Sequence, residues 1–451
     1  MSSVTSVLFN QGSSTQGSGI DVTAVVNQIL DSERGPENLM KQQLSSLQVQ
    51  QSGLNSLNSS VSALLDAVNA LKDPLGALNK NVANSSQPAI LTATAQNVAA
   101  AGNHIIVVNN LSSTGTAYSD AVTDANTTFS DGVISLQIGG ASHDIQIDST
   151  DNTLTTLVTA INKQDLGVTA SVINDASGAR LALVSNSTGA AGDINITANT
   201  SGLAMHKGAT GQNASLTIDG LPFSSATNTV TGAIPGVTLN LVSSAPSSEV
   251  QLSVGVDQAA ASQAVQHFVS AYNAVYTAIS GQFKVNGSTS QAGILASDSS
   301  VRTLQSKLLS DVTYSITGNN GLVNLASLGV NMANDGTLSV DNTKLNDALS
   351  DHFSDVQNFF QTGSKAFAQH FGSDLNAIAD PTRGLLNVDL TQNRNLQNYL
   401  NSQITDFEDR LAVRQQQLIT QYSQIDAALR EYPLLLQQIT SQLSSLPVIS
   451  K

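Results

Sequence analysis

The chain has 451 residues, 40% of them apolar and only 11% charged, so it can fill several cores but covers them with Ser, Thr, Asn, Gln and Gly rather than with charge. Its net charge of −15 repels nucleic-acid phosphates and anionic lipid alike, and the absence of cysteine removes disulfides, thiolate metal sites and cysteine nucleophiles. The length predicts about three domains, because single cores stop growing well below it.

Met1 to Phe9 lacks a basic segment followed by a long apolar one, so it reads as no cleaved secretion signal. No later stretch approaches the ~18 apolar residues of a membrane span. Residues 1–18 are Ser/Gly/Gln/Thr-rich and read as disordered in isolation. Asp21 then offers an N-cap for a helix with Val22, Val25, Val26, Ile29 and Leu30 on one face. Gly35-Pro36 ends that helix and starts another. The second helix is expected over 36–71, where Met40, Leu44, Leu47, Leu54, Val61, Leu65 and Val68 follow the 3–4 spacing of a heptad seam. Gln51 and Asn58 interrupt the seam, and Asp73-Pro74 stops it.

From about 84 to 257 the period falls to two. Ile134, Leu136 and Ile138 alternate with polar neighbours, as do Ile145 with Ile147, Leu181 with Leu183, and Leu216 with Ile218. Val237, Leu239 and Leu241, then Val250, Leu252, Val254 and Val256, continue the alternation. Asp219-Gly220 signals a turn, and one helix with Leu154, Leu157, Val158 and Ile161 interrupts the strands. The helical period returns near Gln258 with Val265, Phe268, Tyr272, Val275 and Ile279. Residues 286–293 read as a loop, Ser297 or Asp298 as a cap, and Asn334-Asp335-Gly336 as a hairpin turn before a helix capped by Asp341. A last long helix is expected over about 390–446, with Ile404, Leu411, Leu418, Ile425, Tyr432, Ile439 and Leu446 recurring every seven residues, and Pro433 kinking or splitting it.

Two heptad seams at opposite ends of the chain pair most economically side by side. The expected fold is therefore α+β and multidomain: a discontinuous terminal helical, coiled-coil stalk plus a helical domain, with one or two inserted β-rich domains. The boundaries read as 1–35 with 434–451, terminal helices that order only on assembly; 36–83 with 258–433, helical; 84–110 with 211–257, β-rich; and 111–210, a second β-rich insert.

The residues in hand resemble the flagellar filament-cap, or hook-associated protein 2, family over nearly the whole chain. Gly17-Ser18-Gly19-Ile20-Asp21-Val22 with Glu33-Arg34 is similar to its N-terminal segment. Ile218-Asp219-Gly220-Leu221-Pro222-Phe223, Asn228-Thr229-Val230 and Ile234-Pro235-Gly236-Val237 resemble the close of its β region, and Phe268-Val269-Ser270-Ala271-Tyr272-Asn273 the start of its returning helix. Gly293 to Asp298, then Leu328-Gly329-Val330 with Asp335-Gly336-Thr337-Leu338, are similar to its next helix start and hairpin, and 133–197 resembles a β-α-β insert that recurs in flagellins. Each string is weak alone, and their order carries the resemblance.

The resemblance implies a homo-oligomer, usually a pentamer, that caps the distal end of a growing filament, retains exported flagellin and guides its insertion without chemistry on it. It also implies export through the flagellar type III apparatus to the extracellular flagellum tip. Further implied partners are the hook–filament junction proteins and a cytosolic export chaperone on the C-terminal helices. No nucleic acid, membrane insertion, cofactor or metal is expected. Two other axial roles, junction protein and flagellin, share the helical ends. Surface-glycan adhesion through 110–210 is compatible with capping.

The catalytic motifs of metalloproteases, serine hydrolases and P-loop enzymes are absent, and a glycosidase cleft is disfavoured by a sequence with no Trp and 4% aromatics. The six histidines are dispersed, and Asp144, Asp148 and Asp151 read as turn residues rather than a Ca²⁺ loop. Leu44, Leu47, Leu54 and Val61 are expected to pack within the chain against Leu411, Leu418, Ile425 and Leu429. Ile20, Asp21, Val25, Val26, Ile29, Leu30, Leu436, Ile439, Leu443 and Leu446 are expected to form the partner interface instead, because the segments that carry them are terminal and hold few charges.

Overall fold

The computed structural model describes residues 21–284 and 292–444, with side chains as far as 442. The chain divides into two compact units, one of residues before Asp73 together with those from Val265 onward, the other Asp73–Ala264.

The first unit opens on helix α1 (Val22–Glu33), where Asp21 Oδ1 accepts from Ala24 N at 2.9 Å and so satisfies one of the free amides of the first turn. Arg34 separates α1 from α2 (Gly35–Lys72), whose second residue is Pro36, a position where a missing amide hydrogen costs nothing. The buried face of α2 changes side along its length. Leu44, Leu47 and Gln51 are half-buried in its first half, while Leu54, Leu57, Val61, Leu64, Val68 and Leu71 are buried in its second. The stripe rotates because its partner changes, from the long C-terminal helix to the short helices that precede it. Leu65, expected in the seam, is half-buried, and the inward position is taken by Leu64.

The second unit is β-rich. In chain order it holds β1 (Asn81–Ser85), β2 (Leu91–Ala95), β3 (Gly102–Asn110), β4 (Thr114–Ser119), β5 (Gly132–Ile138), β6 (Ala141–Ile147), α3 (Leu154–Gln164), β7 (Val168–Asp175), β8 (Gly178–Thr188), β9 (Ile194–Asn199), β10 (Met205–Lys207), β11 (Ala214–Ile218), β12 (Leu221–Ser225), β13 (Thr229–Ile234), β14 (Val237–Leu241) and β15 (Val250–Val256). It therefore takes in residues 73–83 and 258–264, which the sequence reading grouped with the helices. Two cores form. Sheets β1-β15-β3-β11-β12 and β13-β14-β2 share the first, filled by Ile106, Val108, Leu216, Ile218, Leu239, Leu241, Val250, Leu252 and Val254. Sheets β10-β4-β8-β7 and β6-β5-β9, with α3, share the second, filled by Ile134, Leu136, Ile145, Leu154, Leu157, Ile161, Leu181 and Leu183. The period-two residues point into these cores, as a sheet with one wet face requires. Val256 does not; it stays exposed at the end of β15.

α4 (Gln258–Phe283) returns the chain to the helical unit, followed by α5 (Ser299–Val312), the hairpin β16 (Val330–Met332) with β17 (Leu338–Val340), α6 (Asn342–Asp351), α7 (Phe353–Gln361), α8 (Phe367–Ala379) and α9 (Leu385–Ser444). Asp298 and Asp341 cap α5 and α6 through their carboxylates. Phe268, Phe359, Phe360, Phe367 and Phe371 are all buried, with neighbouring rings 4.9–5.8 Å apart. Such pairs add about 0.5–1.5 kcal/mol each beyond the area they bury. Tyr272 reaches Gly336 O at 3.2 Å, and Gly336 sits at φ +84° where a Cβ would fall 2.2 Å from the Tyr276 hydroxyl oxygen. Glycine is therefore required at that turn, both for the left-handed backbone and for the approach of the ring.

α9 is 60 residues long and runs through Pro433 without interruption, so the expected split does not occur. Pro433 lies where the helix is exposed on every side, and water can satisfy the carbonyl whose amide partner is lost.

Candidate assembly interface

α9 is antiparallel to α2 and then to α1. Asn393 Nδ2 donates to Gln50 Oε1 at 3.1 Å, Gln397 bonds Gln51 and the Leu47 carbonyl, Lys41 Nζ lies 3.0 Å from Glu408 Oε1, and Arg414 Nε lies 3.5 Å from Glu33 Oε1. The facing numbers fall on one side as they rise on the other, so α1 continues the line of α2 along α9. Amide pairs inside an apolar seam fix register, because a slip would leave them buried without partners.

The turn between α1 and α2 is held by charge. Glu37 is buried, and accepts from Arg34 Nη1 at 2.9 Å and from Lys41 Nζ. The Lys41 hydrogen bond, followed by the Coulombic pull of Lys41 and Arg34, holds the Glu37 carboxyl below the usual glutamate range. Sequence reading missed Glu37, although Arg34, Glu37 and Lys41 stand at the i,i+3 and i,i+4 spacings of helical ion pairs.

Val26 and Leu30 pack on Leu411 and Leu418, with Val22, Ile29, Phe407, Ile419 and Tyr422 around them. This corrects the sequence reading twice. Val25, Val26 and Leu30, expected to wait for another molecule, are buried within the chain, and Ile29 is half-buried there. Leu411 and Leu418, expected to face 36–71, face α1 instead. Asp21 is the exposed cap of α1.

Beyond Tyr422 the heptad continues in sequence but not in packing. Ile425 is 40% exposed and Leu429 44%, so neither belongs to the intramolecular seam expected for them. Tyr432, Leu434, Leu435, Leu436 and Ile439 extend the same uncovered apolar run. Single exposed leucines are ordinary; a contiguous apolar run of this length on one helix end is not. Ile20 and Leu446 lie outside the described residues, as does the side chain of Leu443.

Among the described residues no helix is long and apolar enough to cross a membrane. His104 and His206 pair with Asp219 and Asp120 at 2.8 and 2.9 Å on the β unit. The first pair belongs to a clamp, since Asp219 also accepts from Ile105 N at 2.9 Å and ties the β11–β12 turn to β3. Asp148 accepts from both the amide and the hydroxyl of Thr150, and Asp144 from Ser135, so both serve turns and strand pairing. The side chain of Asn228 bonds both backbone polar groups of Ser112, where the chain passes from β3 to β4. Asp219 and Asn228, from two of the strings that carried the family resemblance, are thus structural clamps.

Comparison with known proteins gives a consistent picture. Residues 18–115 match the family model described as flagellar hook-associated protein 2 N-terminus, residues 211–433 that described as flagellar hook-associated protein 2 C-terminus, and residues 133–187 the flagellin hook IN motif. The B-type flagellar hook-associated protein 2 of Pseudomonas aeruginosa is 32% identical over 398 residues, which span 81% of this chain and 83% of that protein. The A-type protein of the same organism is 25% identical over 468 residues, 96% of this chain and 97% of that one. Among solved structures, the D1-D2-D3 domains of the Escherichia coli flagellar cap protein FliD superpose with a TM-score of 0.58 at 26% identity, covering 76% of this chain and 99% of that one.

Proposed function

This chain belongs to the flagellar hook-associated protein 2 family, whose role is the flagellar filament cap, and from that premise we propose that it sits at the distal end of the growing filament, retains exported flagellin and promotes its polymerisation there. The observation that carries this reading is the uncovered apolar run Ile425, Leu429, Tyr432, Leu436 and Ile439 at the end of α9. Such a face orders against partner helices, and the cost of immobilising it is set against the binding free energy, which keeps the contact reversible. A cap that steps along a filament needs contacts of that kind.

The partners that fit this face are further copies of the chain, in a closed ring we take to be a pentamer, and the flagellin and hook–filament junction helices beneath it. Before export the same C-terminal apolar surface suits a chaperone that keeps it from aggregating. The export route we infer is the flagellar export apparatus, which delivers the chain to the extracellular tip. Surface-glycan binding by the β unit is a secondary role compatible with capping. Electron microscopy of the purified protein separates this reading from a filament-forming axial protein: a cap gives discrete closed oligomers, and growth of long filaments from the pure chain would overturn it.

A further inference from the structure

α5 and α8 bring Asp311, His370 and Asp374 together within the helical unit, with one donor atom of each inside 4.8 Å of the others. Asp311 comes from the last turn of α5, while His370 and Asp374, four residues apart, share a face of α8. Asp311 is 1% exposed, and neither of its carboxylate oxygens has a hydrogen-bond partner. A buried carboxylate in that state demands either a proton or a cation. Its nearest cationic candidate is the His370 ring, with Nε2 3.4 Å from Oδ1.

The surroundings hold the three groups in place. The Tyr314 ring stacks on His370 with centroids 4.1 Å apart, and its hydroxyl donates to Lys365 O at 3.0 Å. Lys307 Nζ lies 2.9 Å from Asp374 Oδ2, but its side chain is half exposed and can turn into water. We propose that Asp311, His370 and Asp374 bind a divalent first-row transition ion, Zn²⁺ foremost, which ties α5 to α8. One imidazole and two carboxylates form a borderline donor set that suits such ions, whereas Ca²⁺ and Mg²⁺ select oxygen alone. Bonds of about 2.0–2.2 Å place ligand atoms about 3.3–3.5 Å apart, so the site closes by about 1 Å on binding. His370 and Asp374, both partly exposed, supply that movement. The ion displaces Lys307, and a water completes its shell. Because Asp311 lies far in sequence from His370 and Asp374, only the folded chain has the complete site, and the ion stabilises the fold by mass action.

The competing account is a proton shared between Asp311 and Asp374 with no ion. Calorimetric titration of chelator-stripped full-length protein with ZnCl₂, together with visible absorption after Co²⁺ addition, separates the two. The proposal predicts one equivalent bound, a Tm raised by Zn²⁺, and at least a tenfold loss of affinity in both Asp311→Asn and His370→Gln. His370→Gln decides the matter should Asp311→Asn fold poorly, because His370 is partly exposed. Absence of stoichiometric binding, or equal binding by the folded His370→Gln variant, would overturn the proposal.

Discussion

The side chain of Asn273 bonds both backbone polar groups of Leu338: Nδ2 donates to the carbonyl at 2.8 Å, and Oδ1 accepts from the amide at 2.7 Å. α4 therefore holds the edge of the β16–β17 hairpin as a neighbouring strand would. The adjacent Tyr272 does the same for the turn through Gly336.

Asn273→Ala removes both bonds and leaves two largely buried backbone groups without partners. The expected cost is about 1–3 kcal/mol. Asn273→Asp keeps the acceptor but sets a carboxylate against the Leu338 carbonyl, and should cost at least as much. Denaturant midpoints of the two variants check this; a midpoint within error of wild type for Asn273→Ala would contradict the clamp.

α1 is predicted to dock on α9 in the isolated chain. Leu30→Ala should cost about 2–5 kcal/mol of local docking free energy, as buried leucine truncations do. Amide exchange across 22–33 should accelerate, with little change in the β unit. Leu436→Ala, on an exposed position, should shift stability by less than about 0.5 kcal/mol. Equal exchange at 22–33 in wild type and Leu30→Ala would show that α1 does not dock.

Glu37 carries a pH dependence whose sign follows from its partners. Lys41 and Arg34 lower its pKa in the folded chain, so its contribution is present above the unfolded glutamate value of about 4.3 and is lost as pH falls below it. Wild type should therefore lose stability in that window through the α1–α2 junction. Glu37→Gln should start less stable at neutral pH and show a flatter acid limb. Parallel curves for the two proteins would rule out Glu37 as the titrating group.

Much of this was legible in the sequence, and what was not has physical causes. Leu216 with Ile218 and Ile134 with Leu136 announce strands because alternation sets which face is buried, whatever the partner. Heptad spacing at Leu411 and Leu418 announces a buried face but does not say what covers it, and α1 rather than α2 does so. The same repeat runs on through Ile425 and Leu429, where the facing helix has ended. Leu64 replaced Leu65 because α2 changes neighbours midway, which no single-helix pattern encodes. Asp311 and His370 meet only through the packing of α5 on α8, whereas the four-residue step from His370 to Asp374 was visible as a weak sign.

The most direct test of the cap assignment is monomeric flagellin in the culture medium of a strain lacking this chain, complemented with wild type or with a Leu436→Asp, Ile439→Asp double variant. Both proteins should fold with similar Tm, because the two positions are exposed. The wild-type chain should restore long filaments and clear the medium, while the empty strain and the double variant should shed flagellin and carry short filaments. Full-length filaments in the strain without the chain would contradict the account.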